Sequence, residues 1–90
     1  MPKLRIEILK TKDFEKSFKK LQPNIQALAV KKIFLFKTDP FYLPLKTHRL
    51  KGRLKKFYSF SVNFQYRVLF EFIGKNKVLL FDIGTHEIYR

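Results

Sequence analysis

The 90-residue chain carries 20 Lys and Arg against 7 Asp and Glu, a net charge of +13 at pH 7, with 11 Phe and no Cys. That length gives one domain, residues 1–90, with a modest core, and the missing cysteines exclude disulfides, thiolate-held zinc and a thiol nucleophile. The charge calls for a polyanionic partner or an acidic protein that masks it, because a simply solvated surface mixes its signs.

"MPKLRIEILKTKDFEK" has neither the sustained apolar core nor the small-residue cleavage site of a secretory signal, and no later stretch approaches a membrane span, so a cytoplasmic protein is expected. "LRIEIL" alternates Leu4, Ile6 and Ile8 with Arg5 and Glu7, the period-two pattern of a half-buried strand. Thr11 is placed to cap a helix over "KDFEKSFKKL". There Phe14, Phe18 and Leu21 recur at helical spacing, Asp13 and Glu15 sit where the helix dipole favours acids, and Lys19 and Lys20 close the last turn. Pro23 suits the first turn of a second helix, "PNIQALAVKKIFLFK", which "TDP" stops. Its Ile25, Leu28, Ala29, Ile33 and Phe36 share a broad apolar face that Phe34 and Leu35 widen. Residues 41–50, "FYLPLKTHRL", read as an irregular connection. From Lys56 to Ile73 the alternation is long: Tyr58, Phe60, Val62, Phe64, Tyr66, Val68, Phe70 and Phe72 share one parity, and a turn near "VNFQ" folds the run into a hairpin. "GKN" marks the next turn, and Lys77 to Ile83 form the last strand. The fold class is therefore α+β in the order β-α-α-β-β-β, an antiparallel-rich sheet with both helices packed on one face and the other face partly open.

The densest charge feature is "KTHRLKGRLKK", in which Lys46, Arg49, Lys51, Arg53, Lys55 and Lys56 occur with no acid between Asp39 and Glu71. It reads as a nucleic-acid-binding stretch or as a basic edge that keeps strands from pairing with other molecules, and the extreme net charge favours the first. Arg67 lies inside a strand on the parity opposite Tyr66, Val68 and Phe70, so it projects from the face the helices leave uncovered. There it is either a phosphate clamp or the cation of a cross-strand pair with Glu71 or a nearby acid. His86 follows Gly84, whose missing Cβ permits a tight bend or a close approach, and histidine is the residue type that exchanges a proton near neutral pH. A structural role is the commoner one for a lone histidine. Tyr89 reads as a ring packed on the sheet or as a group that stacks on a base or orients a phosphate. His48 has a surface role as its default. The histidines and scattered acids have no metal-ligand spacing and no phosphate-cradling glycine pattern is present, so neither a metal nor a cofactor is expected.

The segments "HRLKG", "YSFSVNFQYRVLFEF" and "LLFDIGTHEIYR" resemble the RelE/ParE superfamily of toxins from type II toxin–antitoxin systems, in its RelE/YafQ-like mRNA interferase branch. The resemblance covers essentially the whole chain, and "YRVLF" and "GTHEIY" are its most specific pieces. It implies a toxin that enters the ribosomal A site and cuts mRNA without metal, by attack of the ribose 2′-hydroxyl on the adjacent phosphate. Such chemistry needs a base for the 2′-hydroxyl, an acid for the departing 5′-oxygen and positive charge at the phosphate. By resemblance, Arg67 holds the scissile phosphate, and His86 falls where relatives carry a His or Arg for proton transfer or charge stabilisation. Tyr89 falls near their C-terminal aromatic, and His48 near a histidine of the YafQ-like site. Those members carry a further His and Asp on the central hairpin, where this chain has Ser61 and Gln65. The acid–base set is thus smaller, Lys51, Lys55 and Tyr89 stand as substitutes, and the identity of the base is open. The family logic also puts these groups after a strand end held on both sides by the sheet. The implied partners are the ribosome, mRNA and a small acidic antitoxin with a DNA-binding segment, with no membrane.

The same fold also serves ParE-like toxins that inhibit DNA gyrase without being enzymes, and fold alone does not choose between them. The trio Arg67, His86 and Tyr89 favours the nuclease, because a gyrase-binding surface does not need it. A basic RNA-binding module without activity would keep the charge but not require the histidine.

Overall fold

The computed structural model describes residues 5–89. The elements are β1 (Glu7–Lys10), α1 (Lys12–Lys19), α2 (Pro23–Thr38), β2 (His48–Arg49), β3 (Tyr58–Ser61), β4 (Arg67–Gly74) and β5 (Lys77–Gly84), with 3₁₀ turns at Leu43–Leu45, Gly52–Leu54 and His86–Tyr89. Leu4, which the alternation assigns to the first strand, lies outside the described residues. Among those residues no helix is long and apolar enough to cross a membrane.

Thr11 caps α1 as its position suggests: its Oγ1 accepts the Phe14 N–H at 3.0 Å, satisfying one of the helix's orphan donors. The same hydroxyl donates to the Phe81 carbonyl at 2.7 Å, which pins the start of α1 to β5. Pro23 opens α2 and costs it no hydrogen bond, since the first-turn N–H groups have no partner within the helix. Ala29 and Phe36 of α2 are fully buried, but Phe34 is 65% exposed, so the apolar face is narrower than the residue types suggest.

The sheet runs β1-β5-β4-β3-β2. β1 pairs with β5 in parallel and the other three pairs are antiparallel, giving the antiparallel-rich α+β architecture expected from the pattern. β2 is an addition within the segment read as irregular: His48 and Arg49 stand opposite Ser59 and Tyr58. Both helices cover one face, where Phe14, Ala29 and Phe36 join Phe60, Phe70 and Leu80 in a single cluster. Phe36 is its pivot, with ring centroids 4.7 Å from Phe60 and 4.8 Å from Phe70.

Two irregularities reset the alternation. At the β3–β4 turn the Asn63 Oδ1 accepts the N–H groups of Gln65 and Tyr66 at 2.9 and 2.8 Å, the local bonding that makes asparagine a turn former. Phe64, in phase with the core residues of the run, is thereby put at the tip and is 96% exposed. In β5 the register passes from Phe70↔Leu80 to Leu69↔Asp82, so Phe81 is an extra residue, a β-bulge that inverts the side-chain parity beyond it. Ile83 therefore returns to the core, and Gly84 arrives opposite Arg67.

Candidate active site

The face away from the helices carries two cross-strand rows, because residues directly opposite in antiparallel strands project from the same side with Cα atoms about 4.5–5.5 Å apart. His48, Ser59, Leu69 and Asp82 form one row across β2, β3, β4 and β5. Ser61, Arg67 and Gly84 form the next. Arg67 is half-buried, and its side chain makes no hydrogen bond or ion pair with another described residue. The cross-strand pair with Glu71 weighed for it is not formed; Glu71 faces Leu79.

This face is less open than the sequence pattern implies. Ser59 is fully buried and Leu69 is 7% exposed, because the 3₁₀ turn His86–Tyr89 folds back over them. The Tyr89 hydroxyl bonds the Ser59 Oγ at 2.7 Å and anchors the turn on β3. Gly84 makes the fold-back possible: a Cβ there would lie 2.9 Å from the Ile88 Cγ2, inside any real contact distance. The glycine thus serves a close approach and not a left-handed backbone, which Gly52 alone of the described glycines adopts. The same turn carries His86, exposed, with its ring 6.1 Å from that of Tyr89. The strand end that leads to it is held by β4 on one side, while β1 stops at the level of Leu80 and the capping Thr11 takes over.

His48 is exposed, with its Nδ1 2.9 Å from the Lys46 carbonyl oxygen. A carbonyl can only accept, so Nδ1 carries a hydrogen and Nε2 is the ring nitrogen left to face outward. The bond is local and follows from the bend at Lys46, the one described non-glycine residue with positive φ, 53°.

The basic stretch divides. Lys46 lines a cleft of about 180 Å³ at the end of β3 and the start of β4, together with Arg67, Ser61, Asn63, Phe64 and Lys32. Lys51, Arg53, Lys55 and Lys56 lie in the β2–β3 connection, at the other end of β3, roughly 10 Å away along a four-residue strand. That distance separates Lys51 and Lys55 from Arg67. Arg49 faces Tyr58 at the same far end and its Nε donates to the Lys55 carbonyl at 2.7 Å. All six cations of the stretch are exposed. Asp82, Ser59 and Lys32 escape the sequence pattern: a bulge moves the first, a small hydroxyl in a strand carries no signal, and the third looks like any solvated helical lysine.

A second concavity of about 440 Å³ lies between α1, α2 and β1, floored by Ile8, Phe14, Phe18 and Ile33 and edged by Lys10, Lys19 and Lys37.

No curated protein sequence matches the chain. Among solved structures, the fold is similar to the toxin–antitoxin complex RelBE2 from Mycobacterium tuberculosis, at 19% identity and TM-score 0.78 over 92% of this chain and 100% of that one. It is also similar to the YoeB/ParE toxin from Agrobacterium tumefaciens, at 15% identity and TM-score 0.77 over 90% and 99% of the two chains. A third likeness is to the Escherichia coli DinJ–YafQ toxin–antitoxin complex, at 18% identity and TM-score 0.75 over 94% and 97%. Identities this low speak for the shared fold. The family follows from the sequence itself: residues 8–86 match the model of the HigB-like toxins, and the chain belongs to that family of RelE-like toxins of type II toxin–antitoxin systems.

Proposed function

We propose that this toxin is a ribosome-dependent endoribonuclease that cuts mRNA without a metal, by attack of a ribose 2′-hydroxyl on the adjacent phosphate. The observation that carries the reading is Arg67: an arginine without a partner among the described residues, directly opposite the glycine from which the turn bearing His86 and Tyr89 folds back. A guanidinium unpaired among the described residues, beside a cleft that two lysines also line, is arranged to receive a phosphate.

In the proposed step His48 Nε2 takes the 2′-hydroxyl proton, the 2′-oxygen bonds to phosphorus, and Arg67 holds the charge that builds on the phosphoryl oxygens. The bond from phosphorus to the 5′-oxygen breaks, His86 supplies that oxygen with a proton, and a 2′,3′-cyclic phosphate is left. His48 stands two strands over and one row along from Arg67, about 12 Å between backbone positions, a span that an arginine, a phosphate and an imidazole fill together. Tyr89 is a positioning residue here, since its hydroxyl is engaged by Ser59. The charge of +13 fits a ribosomal RNA surface and equally an acidic antitoxin, the partner with which similar folds occur in RelBE2 and DinJ–YafQ.

The test is single-turnover cleavage of mRNA on programmed ribosomes, with a message 2′-deoxy at the scissile nucleotide as the control and the product ends identified. Cutting with a 2′,3′-cyclic phosphate end is expected. Intact mRNA, or inhibition of gyrase in its place, would overturn the reading.

A further inference from the structure

Phe64 is the anomaly of the surface. A phenylalanine 96% exposed is unsupported by the core, yet the turn beneath it is tightly made. Asn63 Oδ1 accepts two N–H groups, the Ser61 hydroxyl donates to the Asn63 carbonyl at 2.7 Å, and the Val62 N–H donates to the Tyr66 carbonyl at 2.9 Å. The ring is thus an apolar plate on a firm mount, at the rim of the cleft lined by Lys32, Lys46 and Arg67. Lys46 is itself held in the left-handed region at φ 53°, a conformation disfavoured for a lysine, with its N–H on the Leu43 carbonyl at 3.0 Å. Three cations, no acid and one exposed ring line a single depression.

The geometry points to a second nucleotide subsite, distinct from the scissile position: Lys32 and Lys46 take the phosphate next to the one held by Arg67, and the base of that nucleotide stacks on Phe64. The ligand class is single-stranded RNA, since stacking needs an unpaired base and phosphate contact needs a backbone. An acidic protein segment could match the cations and pack a side chain on the ring, but a flat ring and phosphate-binding cations sharing one acid-free depression match the base-and-phosphate repeat of RNA more fully. The inference rests on the endoribonuclease reading and extends it to how the message is held beside the cut. Stacking on one ring is indifferent to base identity, so the subsite grips without choosing.

The experiment is single-turnover cleavage on programmed ribosomes as a function of toxin concentration, with messages carrying one abasic nucleotide at successive positions around the cut. Phe64→Ala is expected to raise the half-saturating concentration roughly 5- to 150-fold, the loss typical of one stacked base, with little change in the saturated rate. Phe64→Tyr restores binding and Phe64→Leu does not. Lys46→Asn, which tolerates the left-handed backbone, and Lys32→Gln each weaken half-saturation and lower its salt dependence. With the abasic message at one flanking position, wild type and Phe64→Ala become equal. If wild type cuts, Arg67→Ala does not, and Phe64→Ala matches wild type on every message, the subsite is refuted while the nuclease reading stands. If wild type fails to cut, both fall. If Phe64→Ala weakens only antitoxin capture, the cleft belongs to the protein partner and the proposal is overturned.

Discussion

Tyr89→Phe removes the partner of a fully buried hydroxyl, and an unsatisfied Ser59 is expected to cost about 1–3 kcal/mol of stability. Ser59→Ala combined with Tyr89→Phe removes both ends and should recover most of that loss, so urea unfolding of the four proteins in a double-mutant cycle reads the bond directly. Arg67→Ala is expected to lower single-turnover cleavage by roughly 10²- to 10³-fold, as for loss of one electrostatic donor at a developing charge, with an unchanged circular dichroism spectrum. His48→Ala should cost about 10²- to 10⁴-fold, the usual share of a general base, and a rate within twofold of wild type would remove His48 from the mechanism.

The C-terminal 3₁₀ turn is positioned by a close approach at one glycine. Gly84→Ala puts a methyl 2.9 Å from Ile88 Cγ2, and β-branched Ile88 has little freedom to swing aside. The turn should lift, carrying His86 with it, so activity falls further than stability. Adding Ile88→Ala clears the clash and should return part of the activity, whereas a backbone fault at Gly84 would show no such rescue. At the core, Phe36→Ala empties the space between Phe60 and Phe70 and is expected to cost about 3–5 kcal/mol in urea unfolding. These elements differ in how far the sequence displays them. Helix starts at Thr11 and Pro23 and the long alternation from Tyr58 are legible because capping and period are local properties. β2 escapes notice because a strand of two residues has no period. Parity cannot assign Asp82 and Gly84 to a face, since the bulge at Phe81 inverts it, and Phe64 keeps the phase of the core while the Asn63 turn expels it. Arg67 is legible as an outward residue; that no described residue pairs with it is not, because Glu71 is four residues along the same strand, on the same parity.

Across the whole molecule the charge is spread over both ends of β3, so an RNA backbone that meets Arg67 and Lys46 can continue toward Lys51, Arg53, Lys55 and Lys56. Affinity for programmed ribosomes should therefore fall steeply with salt, and replacing those last four cations with Gln should flatten the log–log slope by about 0.7 for each phosphate no longer neutralised. An unchanged slope would free that stretch of any part in binding. An acidic antitoxin meets the same field. We expect it to protect residues 46–56 and the turn at residues 86–89 in hydrogen exchange, and to raise the thermal midpoint by binding only the folded state. Protection confined to α1 and α2 would mean exclusion from the ribosome by bulk instead of by covering Arg67.

β1 pairs in parallel with β5, and Thr11 reaches Phe81 across 70 residues of sequence. β1 thus waits for β5 before it has any neighbour in the sheet. During synthesis α1 and α2 are complete long before residues 77–84 leave the exit tunnel, and Gly84, the residue opposite Arg67, follows every strand before it. A nascent chain held at any earlier point has its cations without the surface that organises them. On the proposed function, the ribosome making this toxin would in that way be shielded from it until the fifth strand has emerged, and the interval in which a partner can seize the newly closed sheet begins only then.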